Sequence, residues 1–240
     1  MKKKILLFIV TYNASFRILT VIKKIKKINK KSDNYSILIS DDFSKDDTIE
    51  YLKKINYPGK IKIILNKKNY GYGANIKKCL RYALKKKFDY AIMIHGDDQY
   101  DAKYIPQMIK KLKDTNVFAV TGSRMIKKEN AIKGKMPVYK FIGNIVLTTI
   151  FNILCKTNFT DCHTGYWGYN LKFFKFVNLN NLDNSFNFDN TTRISAVNHK
   201  FKISEISIRT FYRKEESRWH FIYAFNFIKY LIINIFKKIK

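Results

Sequence analysis

The chain has 240 residues, 46% of them hydrophobic, which is enough to bury one sizeable α/β core. With 47 Lys and Arg against 18 Asp and Glu its formal charge is +29, which suits an anionic membrane surface or anionic substrates. No helix-turn-helix, RNP-type strand or zinc finger is visible, so no nucleic-acid partner is expected. The 3 cysteines are odd in number and widely separated, which argues against a disulfide framework or a CxxC metal site and fits a reducing cytosol.

Short apolar runs alternate with helical patterns through the first half, and this alternation predicts an α/β fold with a Rossmann-like, mostly parallel sheet flanked by helices. The predicted strands cover residues 5–10, 36–40, 60–65, 90–94 and 117–121. The predicted helices cover residues 16–28, 48–55, 76–87 and 104–112. In such sheets the ligand site lies at the carboxyl ends of the strands.

The second half is less regular. Residues 141–154 predict an apolar helix packed on the domain, which at about 14 residues is short for a bilayer span. Residues 202–208 alternate like a late strand. Residues 219–236 are aromatic and aliphatic but carry internal polar residues and end in a lysine cluster, a pattern typical of an amphipathic helix at a membrane interface. We therefore expect one catalytic domain at 1–217, with halves 1–115 and 116–217, and a C-terminal amphipathic helix at 218–240.

The most informative segment is the apolar strand at 90–94, which breaks off into Asp97, Asp98 and Gln99. A buried strand that delivers carboxylate and amide groups to its carboxyl end is a common way to build a divalent-metal and phosphate site. The alternative is a polar turn in which Asp98 or Asp101 caps the next helix.

Two further candidate segments also come after a predicted strand. Asp41 and Asp42 follow the strand at 36–40, although a solvated loop would also explain them. Gly71 and Gly73 lie in a turn that enters a helix, where glycines allow the backbone to approach a nucleotide closely.

The order of these segments resembles the family 2 glycosyltransferases of GT-A fold, and within them the group that includes dolichol-phosphate mannosyltransferase and bacterial polyprenyl-phosphate glycosyltransferases. The resemblance runs from about residue 4 to residue 217. It rests on Thr11-Tyr12-Asn13, Asp41-Asp42, Asn69-x-Gly71-x-Gly73-Ala74, Asp97-x-Gln99, Gly122-Ser123-Arg124, Asp161-Cys162-His163-Thr164-Gly165-Tyr166 and Phe186-Asn187-Phe188-Asp189. It implies a metal-dependent inverting transferase that uses a nucleotide-sugar donor.

For the cofactor, the resemblance implies a divalent cation, Mg²⁺ or Mn²⁺, held by a pattern Asp-x-Asp-x-Gln. Here the pattern reads His95-x-Asp97-x-Gln99, so the first carboxylate is replaced. Asp97 and Gln99 are the expected ligands. His95 is a third candidate ligand, with a neighbouring supporting group or a core histidine as alternatives.

For the donor, the resemblance implies binding of the nucleotide by Thr11, Tyr12, Asn13, Asp41, Asp42, Gly71, Gly73 and Asp97. The position after Asn13 is Ala14 where the family usually has Glu, which affects contacts to the base. Arg124 matches a phosphate-binding arginine, because a planar guanidinium donates two parallel hydrogen bonds to an anion.

Two classes of acceptor are compatible with these residues. A sugar hydroxyl needs a catalytic base, for which Asp161 is the first candidate and Asp189 the second. A polyprenyl phosphate is already anionic and needs positioning, for which Arg213, Lys140 and Lys214 are candidates. We expect the polyprenyl phosphate and a peripheral position on the cytoplasmic face of the membrane. The alternatives are transfer to a glycan hydroxyl and a catalytically silent sugar-nucleotide-binding scaffold.

Overall fold

The computed structural model describes residues 3–29, 35–55, 61–212 and 227–228. The strands are β1 (Ile5–Thr11), β2 (Tyr35–Asp41), β3 (Ile61–Leu65), β4 (Tyr90–His95), β5 (Val117–Ser123), β6 (Trp167–Asn170) and β7 (Lys202–Ser207). The helices are α1 (Arg17–Asn29), α2 (Thr48–Lys53), α3 (Tyr72–Lys85), α4 (Ile105–Leu112), α5 (Glu129–Lys133), α6 (Val138–Cys155) and α7 (Phe188–Asn198).

The seven strands form one sheet in the order β3-β2-β1-β4-β6-β5-β7. Every pairing is parallel except those of β6, which runs antiparallel to β4 and β5. The α/β class and the mostly parallel sheet predicted from the alternation are thus confirmed.

The core has two layers, one on each face of this sheet. Alternate residues of β1 enter different clusters: Ile5, Leu7 and Ile9 join one, and their neighbours Leu6 and Phe8 join the other. Because both faces are covered, β1 is buried along its whole length, which explains its unbroken apolar sequence.

Three of these elements were not predicted: β6, α7 and the five-residue helix α5. β6 has only four residues, Trp-Gly-Tyr-Asn, too few to show a period, and it is buried by its insertion between β4 and β5. α7 buries polar residues such as Asp189, Thr192 and Arg193, so its sequence lacks the apolar stripe of an amphipathic helix.

α6 is longer than the sequence suggested. It has 18 residues, and by length and composition it is long and apolar enough to cross a membrane. Only 22% of it is buried inside the protein. The expectation that this segment is too short for a span was therefore wrong, because the helix begins three residues before the predicted segment 141–154 and ends one residue after it.

The carboxyl edge of the sheet brings the predicted motifs together. Thr11 pairs with Asp41, and Val10 pairs with His95, so three strands end at one level. Arg213, Lys214 and the predicted helix at 218–240, apart from Phe227 and Ile228, lie outside the described residues. The domain boundary at 217 stays a prediction.

Candidate active site

The loop after β1 is fastened to the end of β2. The buried Asp41 carboxylate accepts hydrogen bonds from the backbone and the hydroxyl of Ser44. The Ser44 hydroxyl in turn accepts the backbone N–H of Asn13 (2.8 Å), and the Asn13 side chain accepts the N–H of Lys45 (2.8 Å). Asp41 and Asn13 therefore fix the shape of this edge, and the structure places both beside the predicted nucleotide site.

Thr11 and Tyr12 differ in what they offer. The Thr11 hydroxyl is buried without a hydrogen-bond partner among the described residues. It lies against Gly96, where an added Cβ would be 2.5 Å from Thr11 Oγ1, so close packing requires the glycine. Tyr12 is exposed, so its ring is accessible to a bound base.

Asp42 organises the glycine turn. Its Oδ1 accepts from Asn66 Nδ2 (2.7 Å) and from the Tyr70 N–H (3.0 Å), and its Oδ2 accepts from the Gly71 N–H (2.8 Å). Asp42 is buried and bound to three donors. Its role in the structure is therefore to shape the turn; direct contact with the nucleotide stays a prediction.

The glycines of the turn allow it to pack against the 183–184 loop. Gly71 has a φ of 94°, which favours glycine, and the N–H of Ala74 donates to the Asn184 carbonyl (3.0 Å). A Cβ on Gly73 would lie 2.4 Å from the Asp183 carbonyl oxygen. The glycines thus serve a backbone-to-backbone contact, in addition to any approach by a nucleotide.

The turn after β4 presents one carboxylate and one amide. Asp97 Oδ1 accepts the Gln99 N–H (2.9 Å), which holds these side chains on one short turn. Asp98 has a φ of 63°, and its Oδ1 pairs with Lys24 of α1 (2.7 Å). Within the described ranges, no group of three His, Cys, Asp or Glu side chains could hold a metal ion by itself.

His95 lies in an aromatic enclosure. Its ring makes edge contacts with Tyr72 and Tyr100, and its Nε2 is 3.2 Å from the Tyr72 hydroxyl. Gly165 packs so closely that a Cβ there would be 2.7 Å from His95 Cε1. Burial lowers the pKa of His95, although the Asp97 charge acts the other way, so the ring is neutral near pH 7. These contacts favour a supporting role; metal ligation by His95 stays a prediction.

Asp189 lies in the first turn of α7, facing the same enclosure. The Tyr72 hydroxyl donates to Asp189 Oδ2 (3.1 Å), while Oδ1 is buried without a partner among the described residues. Burial raises the pKa of Asp189 to about 7, although the charge of Arg193 and the Tyr72 hydrogen bond act to lower it. A buried carboxyl that titrates near neutrality can accept a proton.

Asp161 is bound instead to Arg124. Arg124 Nε donates to Asp161 Oδ2 (2.6 Å) and Nη2 donates to Oδ1 (2.8 Å), with both side chains buried. Asn144 Nδ2 (2.8 Å) and the His163 N–H (3.0 Å) also donate to Oδ1. Burial alone would raise the pKa of Asp161, but the Arg124 charge and these hydrogen bonds hold it well below its usual range. A carboxylate so stabilised is a poor proton acceptor near neutral pH, which argues against Asp161 as the base; its catalytic role stays a prediction.

Arg124 also contacts Tyr212, the last residue of the described range 61–212. Its Nη1 donates to the Tyr212 hydroxyl, and Lys140 Nζ lies 5.4 Å from the Tyr212 ring centroid. Tyr212 is fixed by its N–H, which donates to the Gly134 carbonyl (2.9 Å). Lys140 and Arg124 therefore both lie close to Tyr212, which immediately precedes Arg213 in the sequence.

Sequence reasoning assigned no role in the site to three residues that build it, although Phe186 lies in one of the quoted motifs. Tyr72 stands between the two glycines of the turn and links His95 to Asp189. Phe186 is exposed and stacks on Tyr72 with ring centroids 5.4 Å apart. Tyr212 has no distinguishing sequence pattern. The glycine spacing was the one signal that could have pointed to Tyr72.

Comparisons with known proteins show the family to which the chain is similar. A family model described as glycosyl transferase family 2 matches residues 7–177. An uncharacterised protein of Methanocaldococcus jannaschii is 32% identical over 154 residues, and the match spans 62% of each chain. The UDP-N-acetylglucosamine–dolichyl-phosphate N-acetylglucosaminyltransferase of Methanococcus voltae is 27% identical over 223 residues, covering 88% of this chain and 86% of that protein.

Among solved structures, glucosyl-3-phosphoglycerate synthase from Mycobacterium tuberculosis, in complex with Mn²⁺, UDP and phosphoglyceric acid, superposes with a TM-score of 0.70. The match covers 99% of this chain and 78% of that chain at 10% identity. At such low identity the likeness shows the fold alone, and it confirms the predicted GT-A fold.

Proposed function

The chain belongs to glycosyl transferase family 2, and from this membership we propose that it transfers a sugar from a nucleotide-sugar donor to a polyprenyl phosphate. The observation that carries the acceptor assignment is the 27% identity, over most of both chains, to a transferase that acts on dolichyl phosphate. We further propose a peripheral position on the cytoplasmic face of the cell membrane, with residues 218–240 as an amphipathic anchor.

The donor end of the site is formed by the carboxyl ends of β1, β2 and β4. Tyr12 offers an exposed ring for the base, and the turn shaped by Asp42 offers a close backbone approach. Asp97 and Gln99 supply a carboxylate and an amide oxygen, which are hard ligands that suit Mg²⁺ or Mn²⁺. Since one carboxylate is too few to hold such an ion alone, these residues fit an ion bound jointly with the donor diphosphate, whose departure it would assist.

A phosphate acceptor needs cationic groups rather than a base. Arg124 donates to the Tyr212 hydroxyl, and Lys140 Nζ lies 5.4 Å from the Tyr212 ring centroid. Tyr212 directly precedes Arg213 and Lys214 in the sequence. We propose that Lys140, Arg213 and Lys214 hold the acceptor phosphate. Arg124, fixed by Asp161, would keep Tyr212 in position.

Asp189 supports a second candidate function, transfer to a sugar hydroxyl. Its pKa of about 7 and its unpartnered Oδ1, among the described residues, are properties of a catalytic base. Phe186, exposed and stacked on Tyr72 beside it, offers an apolar ring against which a sugar can pack.

The two functions are separated by the product. The full chain is incubated with labelled nucleotide-sugars, Mn²⁺ or Mg²⁺, and either polyprenyl phosphate or a soluble glycan. Label that partitions into organic solvent only with polyprenyl phosphate supports the first function. Label that stays with the glycan supports the second, and donor binding without turnover on either acceptor supports a catalytically silent scaffold.

A further inference from the structure

α6 makes polar contacts on its inner side, next to the buried Leu147 and Phe151, and exposes further apolar side chains on its opposite side. Its inner face carries Asn144, which donates to Asp161 (2.8 Å), and Thr148, whose hydroxyl accepts the Cys162 N–H (3.1 Å). Its opposite side carries five apolar side chains, between 37% and 73% exposed, which we call the outer face: Val138, Ile142, Ile145, Val146 and Ile153. A surface helix of a soluble domain normally has the reverse arrangement.

The outer face is bordered by positive charge. Between residues 126 and 156 the chain has six lysines and one glutamate, and only Lys140 falls within α6. Lys127, Lys128 and Lys135 are exposed before the helix, and Lys156 is exposed at its end. An apolar strip with basic residues at both ends matches the chemistry of an anionic lipid surface, with acyl chains below and phosphates at the rim.

The described part of the C-terminal segment packs elsewhere. Phe227 is buried in a cluster with Leu147 and Phe151, on the inner side of α6, and its ring is 4.8 Å from that of His163. None of the five outer-face side chains belongs to this cluster. The inner face and the C-terminal part of α6 are held by the catalytic domain, through Asn144 on Asp161 and Asn152 on the Phe159 carbonyl, which argues against α6 as a transmembrane helix.

We propose that the outer face of α6 docks on an anionic phospholipid bilayer, so that the catalytic domain itself lies on the membrane. This proposal extends the proposed function. It rests on that function, since docking serves transfer to a lipid acceptor in the bilayer. The inner face of the same helix holds Asp161 and, through it, Arg124. A helix with side chains is roughly 10 Å across, so the docked helix would hold the Arg124–Lys140 end of the site near the lipid phosphates.

The test measures partitioning of the full chain, C-terminus included, onto phosphatidylcholine vesicles with and without phosphatidylglycerol. We expect the paired substitution Ile142→Ser and Ile153→Ser to weaken binding to the anionic vesicles by about tenfold or more, because two apolar side chains no longer insert. Phe176→Ser, at an equally exposed position outside this surface, is the matched control and should bind like the wild type. Lys127→Gln with Lys128→Gln should weaken binding in low salt more than in high salt.

A reporter on the outer face tests whether anything else covers it. An environment-sensitive fluorophore is attached at Ile145→Cys in a Cys155→Ser background, since the other two cysteines are buried. Its emission should shift to the blue when anionic vesicles are added. Emission that is already blue-shifted without vesicles and does not change would mean that this chain, or a second copy, covers the face, and would overturn the proposal. Wild-type partitioning by the Ile142→Ser and Ile153→Ser protein would overturn it as well.

Failure of this proposal is distinguishable from failure of the proposed function. Nucleotide-sugar binding without vesicles should be the same in the wild type and the α6 variant, since neither isoleucine contacts the donor site. Loss of turnover on vesicle-embedded polyprenyl phosphate, with turnover retained on a short water-soluble analogue, is the expected signature of failed docking. Absence of turnover on both acceptors in the wild type would reject the function while leaving the vesicle measurement valid.

Discussion

The Tyr72 hydroxyl donates to Asp189 Oδ2 at 3.1 Å, across 117 positions of sequence, and joins the glycine turn before α3 to the first turn of α7. The same hydroxyl lies 3.2 Å from His95 Nε2 at the end of β4. The Tyr72 hydroxyl thus connects three elements of the candidate site, α3, β4 and α7. The pKa of Asp189 therefore depends on contacts that form only in the folded protein.

Asp189→Asn should remove a pH dependence of stability. Burial raises the pKa of Asp189 to about 7 in the folded protein, so the folded state binds the proton more tightly than the unfolded chain does. The free energy of unfolding should therefore fall as the pH rises from about 4, the ordinary aspartate value, to about 7. Urea unfolding at a series of pH values checks this, and an unchanged slope in the Asn variant would show that Asp189 is not its source.

Tyr72→Phe tests Asp189 as a base. The Tyr72 hydrogen bond favours the ionised carboxyl, so its loss should raise the pKa of Asp189 further. With a hydroxyl acceptor, the rising limb of the pH–rate profile should move to higher pH in this variant. With polyprenyl phosphate as acceptor, we expect no such limb in either protein, because the nucleophile is already anionic. A limb with the phosphate acceptor that disappears in Asp189→Asn would contradict the proposed acceptor.

Asp161→Asn should destabilise the fold more than any surface change. It leaves the buried Arg124 guanidinium without its counter-charge, which typically costs about 3–5 kcal/mol of unfolding free energy. Glu129→Gln is the control, since it breaks an exposed ion pair with Lys133 and should cost ~0.5 kcal/mol or less.

The ion pair between Asp161 and Arg124 should also make the stability of the protein sensitive to acid. Because the folded-state pKa of Asp161 lies below its unfolded value, the stabilisation is present above about pH 4 and is lost as the pH falls towards the folded value. The Asn variant should lack this loss in acid unfolding. Similar acid profiles for wild type and variant would show that the pair contributes little to stability.

Gly73→Ala should displace the 183–184 loop. The new methyl group would meet the Asp183 carbonyl oxygen at 2.4 Å and Phe188 Cβ at 2.8 Å, and neither contact is relieved by a side-chain rotation. We expect a loss of about 2 kcal/mol in unfolding free energy, typical of overpacking, together with weaker nucleotide-sugar binding in calorimetry. Asn184→Ala keeps the backbone carbonyl that receives the Ala74 N–H and should behave like the wild type.

Asp97→Asn should reduce metal-supported turnover by about 10²- to 10³-fold, as expected for loss of a preorganised electrostatic group. Initial rates measured against Mn²⁺ concentration check this, and near wild-type rates at limiting metal would remove Asp97 from the site. His95→Asp in the same assay decides the role of the histidine. Preserved or tighter Mn²⁺ dependence would support a ligand position, and a large loss with an intact fold would support the aromatic enclosure.

The sequence by itself determined the α/β class, the parallel order of the first strands and the edge at which the motifs lie. Local signals suffice for these features: the apolar runs of β1 and β4 are buried on both faces, and a parallel strand delivers its following loop to the carboxyl edge. Asp41, Asp42, Asp97 and Gln99 lie at this edge because they directly follow two of the predicted strands.

Only the tertiary structure distinguishes the two candidate carboxyl groups. Asp161 and Asp189 look alike in the sequence, yet Arg124 stabilises the charge of one while burial with few partners destabilises the charge of the other. The outward apolar face of α6 was equally hidden, since its composition does not say which side packs on the domain. Both features depend on contacts between distant segments, and a pKa or an exposed surface is set by those neighbours rather than by the residue type.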